Sequence, residues 1–293
     1  MRIDKRLEAI IYLLEDNDEG VFKEAEKALY AYGIDVLPSL EYVYNQSENL
    51  IIKERLGIIM QDFRFKEIFN DFQNWSRKEN PNLIEASFLI SRWMDNSIEK
   101  ERFYTIFNQI KINVWLEVNN TLTAFEQIYL INSIFYNYYN FKLFPEGGFL
   151  SYNPFHLMLE GVGNKYSLAL LYIAICETLD IPIFVLNIPD LLLMGYFDNL
   201  LHFYQKDGEK NIQIAHYIDP EDGVIHGKEE VLFYIRQFMQ MRNLPQIKPM
   251  NNKQFIKLFF ESMLNDESLK NDQSFSKMTH QLQRLIFVLN ENL

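Results

Sequence analysis

A chain of 293 residues with 48% hydrophobic and 15% aromatic content has enough apolar surface for two compact cores, which excludes intrinsic disorder. Its 28 Lys and Arg stand against 40 Asp and Glu, a formal charge of −12 with no dense basic patch, so no nucleic-acid partner is expected. The single cysteine, Cys176, excludes an intramolecular disulfide and any multi-cysteine metal site, and fits a reducing cytoplasm.

Acids among the first eight residues stand where an export signal needs an uninterrupted apolar stretch, so export by that route is not expected. The longest uncharged run, 127–141, carries three asparagines and a glutamine and is too short to span a bilayer, so no membrane association is expected. From the start to about residue 100 the spacing is helical, as in Leu7, Ile10, Ile11, Leu14 and in Phe22, Ala25, Leu29. Breaks at Asp16-Asn17-Asp18, Gly33 and Asn45-Gln46-Ser47 separate short helices that suggest stacked antiparallel pairs, in the manner of helical repeats but without a clean sequence period. The acidic run Glu15 to Glu19 lacks the glycine and alternating ligand order of a calcium loop and reads as an interhelical turn.

Two longer helices are expected over 98–118 and 122–139. They carry Trp115, Phe125, Tyr129, Phe135, Tyr136, Tyr138 and Tyr139, rings whose helical spacing predicts core packing. Phe144-Pro145-Glu146-Gly147-Gly148 breaks the pattern. A loop Gly163-Asn164-Lys165-Tyr166 then leads to Ser167, which opens an apolar helix to residue 180. Strands follow at 182–186, 191–197 and 212–218, with a long connection over 198–211. Past Asp219-Pro220-Glu221-Asp222-Gly223, helices are expected at 228–241, 252–264 and 275–290, the second capped by Asn251-Asn252.

One residue at a helix start and two on neighbouring strands form a scaffold able to assemble a nucleophile, a base and an orienting carboxylate. Cys176 cannot be that nucleophile, because it lies half a turn out of phase with Ser167 and roughly 13 Å further along the helix. Ser167 is better placed, since a helix N-terminus can stabilise an oxyanion, but serine there is above all a helix cap. None of His156, His202, His216, His226 and His280 reads as part of a metal or dyad motif, and on a shared strand His216 and Asp219 would face opposite ways. His202 or His156 would have to be recruited by loop geometry. Gly161-Val162-Gly163-Asn164 lacks the third glycine of a dinucleotide loop, no Gly-Lys-Ser or Gly-Lys-Thr occurs, and no cofactor or metal is expected.

Gly163-Asn164-Lys165-Tyr166-Ser167-Leu168-Ala169-Leu170-Leu171-Tyr172 resembles the Gly-Asn-Pro-Ile-Ser-Leu-x-Leu-Leu-Tyr signature of the transglutaminase-like superfamily, SirB-like branch. Leu179-Asp180-Ile181-Pro182 and Asn187-Ile188-Pro189 fit its continuation, and the resemblance implies a bacterial source. Carried over, it puts the thiol site at Ser167, where that branch itself commonly shows serine, the histidine site at Leu191 in Pro189-Asp190-Leu191-Leu192, and the carboxylate at Asp219. Leucine neither accepts nor delivers a proton, and Lys165 replaces the usual proline.

The expected architecture is mostly helical α+β: a repeat-like helical region over 1–100, a small antiparallel-sheet core of transglutaminase-like, papain-like fold over 101–245, and C-terminal helices over 246–293 packing back on the body. The expected function is a catalytically silent member that binds an unknown protein or peptide, with Asn164, Tyr166, Ser167 and Asp219 as cleft residues. The alternatives are a Ser167-dependent hydrolase or acyl transferase with a recruited histidine, and a helical scaffold with a remnant core.

Overall fold

A computed structural model describes residues 4–119, 121–188, 190–198, 213–238, 247–270 and 273–292. The chain packs as two units, Met1–Asp71 and Phe72–Leu293. The first contains α1 (Lys5–Leu13), α2 (Glu19–Tyr32), α3 (Leu37–Gln46) and most of α4 (Leu50–Arg77). Leu7, Ile11, Leu29, Leu40, Leu56 and Ile59 fall on facing stripes and bury one another. The acidic run is the α1–α2 turn. Asp18 caps α2 by accepting from Gly20 N at 2.7 Å, and the Arg55 guanidinium donates to the Leu14 carbonyl and, at 2.8 Å, to that of Asp16.

The second unit is mostly helical with one small antiparallel sheet, the expected α+β class. Its helices are α5 (Leu83–Met94), α6 (Lys100–Glu117), α7 (Ala124–Asn132), α8 (Pro154–Glu160), α9 (Lys165–Thr178), α10 (Lys228–Phe238), α11 (Asn252–Asn265) and α12 (Gln273–Glu291). A parallel pair joins β1 (Lys142–Leu143) to β2 (Val162–Gly163). The four-stranded sheet runs in order β3 (Ile183–Val185), β4 (Met194–Asp198), β5 (Gln213–Ile218), β6 (Ile225–His226). Asn251 caps α11 in a reciprocal box with Gln254, both bonds at 2.9 Å.

Helix α9 is the centre of this unit. Every residue from Ser167 to Cys176 is buried, the all-round apolar character of a helix enclosed by neighbours, here α5, α8 and β3. Phe72, Trp93 and Phe260 add an edge-to-face aromatic cluster, fixed by a 3.0 Å hydrogen bond from the Trp93 indole to Gln281. No helix among the described residues is long and apolar enough to cross a membrane.

Three expectations are corrected. The helix expected over 122–139 is α-helical only to Asn132 and continues as a π-helix, Ser133–Tyr138, with Tyr139 N donating to the Ile134 carbonyl at 2.9 Å. The rings expected in the core divide: Phe135 is buried, but Trp115, Phe125, Tyr129 and Tyr138 are exposed, because helical spacing defines a face without saying whether anything covers it. The strand expected from 191 begins only at Met194, since Asp190 takes a left-handed φ of 55° and Leu191 N turns back to the Ile188 carbonyl. The expected connection over 198–211 lies almost wholly outside the described residues.

Phe260→Ala, at a site with 0% exposure, is expected to lower unfolding free energy by roughly 3–5 kcal/mol in urea denaturation. Trp115→Ala, at 63% exposure, is expected to stay within about 0.5 kcal/mol of the parent.

Candidate functional site

The first turn of α9 gathers the positions singled out in the sequence. Asn164, with extended backbone, is the N-cap, its Oδ1 accepting from Ser167 N at 2.8 Å. Ser167 is therefore not the cap expected from sequence but the third helical residue, displaced from that role because the asparagine before it caps as well as serine does. Its hydroxyl is fully buried and turns back, within 2.8 Å of the Ser151 carbonyl and 3.0 Å of the Asn164 carbonyl. One hydroxyl proton shared between two carbonyls leaves none to deliver elsewhere. Gly163 makes room for this arrangement, since a Cβ there would stand 2.5 Å from the Ser167 oxygen.

Leu191 lies in the loop before β4 and packs on an apolar cluster that includes Leu186, Ile188, Leu193, Phe197 and Tyr217. Asp219 lies just beyond β5 and builds a turn. Its Oδ1 accepts from Glu221 N at 2.8 Å, its amide donates to Val224 O at 2.9 Å, and its carbonyl accepts from Gly223 N at 2.9 Å. This turn is tied to the buried helix by a relay: the Tyr172 hydroxyl donates to Asn132 Oδ1 at 2.9 Å, and the Asn132 amide donates to the Gly223 carbonyl at 2.6 Å. The Tyr136 hydroxyl adds a bond to the Pro220 carbonyl at 3.0 Å.

Electrostatics join these pieces. Burial, then the charge of Asp219, raises the Glu221 carboxyl above its ordinary value, and the Lys165 ammonium pulls it partly back, so α9 and the 219–222 turn share one field. Burial raises the Tyr166 phenol, and the charges of Asp190 and Asp266 raise it further, so the residue preceding Leu191 acts on the same helical turn. Lys165 stands over the Tyr166 ring at 5.6 Å. The surroundings of this turn are acidic: Asp190 and Asp266 act on Tyr166, and Asp219 and Asp222 act on Glu221 against Lys165.

Two of the described imidazoles are engaged with neighbours. His216, on β5, packs its ring on Phe125 at 5.7 Å. His226, for which the sequence suggested no paired group, bonds Glu230 at 3.0 Å, a partner one helical turn on that its spacing did offer. His156 is half-buried on α8, and His202 lies outside the described residues. Cys176 is fully buried, its thiol pushed up by burial. Among the described residues no group of three His, Cys, Asp or Glu side chains could hold a metal ion.

Sequence reasoning missed Ser151, Asn132 and Tyr136. Asn132 and Tyr136 meet the site from the α7 and π segment 84 to 91 residues away, and nothing in local spacing signals such a contact. Gly163 carried a signal, as the first residue of the quoted motif.

A family model described as the transglutaminase-like superfamily matches residues 103–259, more than half of the chain. The chain belongs to that superfamily. No curated protein matches it.

Gly163→Ala is expected to destabilise the fold by roughly 2–4 kcal/mol, and Ser167→Ala by about 1 kcal/mol. In a double-mutant cycle read by urea denaturation the pair is expected to cost at least about 1 kcal/mol less than the sum, because the colliding oxygen is gone. The raised Glu221 carboxyl means that the fold holds this proton more tightly than the unfolded chain does. Its charge therefore destabilises the fold fully above the folded pKa, and the effect fades as pH falls toward 4.5. Glu221→Gln is accordingly expected to raise the urea midpoint at about pH 7 and to leave it nearly unchanged near 4.5.

Proposed function

We propose that this protein is a transglutaminase-like chain that does not perform acyl transfer and serves as a protein- or peptide-binding module of a bacterial cytoplasm, within the SirB-like branch. The observation that carries the reading is the Ser167 hydroxyl, with no exposed surface and its proton held by the Ser151 and Asn164 carbonyls. A nucleophile needs a free lone pair aimed at substrate and a base to take its proton. Leu191, at the position where the resemblance calls for histidine, offers no base and adds to an apolar cluster instead. Tyr166, half-buried beside the acidic turn, and the exposed rings of Trp115, Tyr129 and Tyr138 belong to the residue types enriched in protein interfaces, which supports binding.

The catalytic half is tested by assaying amide and ester hydrolysis and amine incorporation into glutamine peptides, with parent and Ser167→Ala chains side by side. No Ser167-dependent turnover and no labelling by a serine-directed phosphonate are expected. Turnover that disappears in Ser167→Ala would overturn the reading in favour of a hydrolase with a recruited histidine. For the binding half, a random-peptide display selection on the full chain is expected to yield saturable binders whose affinity falls about tenfold or more in Tyr166→Ala. A selection without saturable binders would count against it.

A further inference from the structure

A cleft of about 700 Å³ opens at the end of α9 opposite the family site. Glu177, on its wall, lies ten residues beyond Ser167, roughly 15 Å along the helix, so the two places are chemically independent. The volume is that of a small-molecule site. Ile181, Pro182, Phe184 and Met250 are among its apolar lining. The charged side chains on the cleft are the carboxylates of Glu79, Glu177 and Asp180 and the single ammonium of Lys253. That ammonium is engaged, donating to the Asn292 carbonyl at 3.2 Å.

Glu177 is the telling residue. One carboxylate oxygen accepts from Leu83 N at 2.7 Å and the other from the Asn252 amide at 2.5 Å. Burial raises its carboxyl above the ordinary range despite both bonds. A half-buried carboxylate on a cleft that also carries the exposed acids Glu79 and Asp180 and apolar lining is matched by a ligand that brings a positive charge on a hydrocarbon body.

We propose that this cleft is a binding site for a small organic cation, an ammonium or guanidinium group carried on an aliphatic or aryl-alkyl body, with the charge toward Glu177 and Asp180 and the body against Pro182 and Phe184. An anion is disfavoured by three carboxylates, and a bare metal ion would leave the apolar lining unused. The chemistry defines a free small molecule, not a macromolecular surface.

The test is calorimetric titration of the full chain with phenethylamine, using hydrocinnamate as a control of similar shape and opposite charge. Saturable binding of the amine and none of the acid are expected. Asp180 adopts a left-handed φ of 55°, a conformation asparagine also tolerates, so Asp180→Asn removes charge without backbone strain. That variant is expected to weaken the amine at least threefold, and Glu177→Gln about tenfold. Should Glu177→Gln fail to fold, Asp180→Asn decides alone. No saturable amine binding below about 5 mM, equal binding of the acid, or unchanged affinity in the folded variants would overturn the proposal. Because the peptide selection reads Tyr166 and this titration reads Asp180, either can fail without the other.

Discussion

The hydrogen-bonded relay from Tyr172 through Asn132 to Gly223 is the contact on which the arrangement around α9 depends. A helix buried along ten consecutive residues has no water to satisfy a tyrosine hydroxyl, so that hydroxyl must find a protein partner. Asn132 supplies it and passes the connection on, because an amide side chain accepts with its oxygen and donates with its nitrogen. The turn that receives the second bond is itself constrained. Gly223 has a φ of +77°, and a Cβ there would stand 2.5 Å from the Tyr136 ring. Side-chain packing, backbone conformation and hydrogen bonding thus converge on one geometry for residues 219–223, and the π-helical segment is what sets Tyr136 beside it.

The three positions that the family resemblance points to all have structural work. Ser167 rivets the start of α9 to the backbone of Ser151, Leu191 fills an apolar cluster, and Asp219 shapes a turn. A scaffold that elsewhere holds a nucleophile, a base and a carboxylate is here held by the corresponding side chains. Such contacts stabilise the fold locally.

Much of this was legible in the sequence because it is local. Asn251 before an apolar-periodic run is read as a cap from four residues of context, and it is one. The helix expected over 98–118 is found as Lys100–Glu117, since its periodicity is long and uninterrupted. What was not legible depends on partners distant in sequence or on choices between equals. Asn164 and Ser167 are both good caps, and only the backbone reveals which takes the place. Trp115 and Phe107 share a helix and an aromatic character, yet one is exposed and the other buried, a difference decided by neighbours that periodicity does not name. The π-turn after Asn132 has no compositional mark at all.

Cys176 gives the buried helix a further property. It is the one thiol in the sequence, it has no exposed surface, and burial keeps it protonated well beyond its usual range. No electrophile or oxidant reaches it while α9 stays enclosed, and fraying at the chain ends or in surface loops leaves it untouched. Alkylation of this sulfur therefore reports opening of the core around α9, and its rate equals the opening rate where alkylation outpaces reclosing.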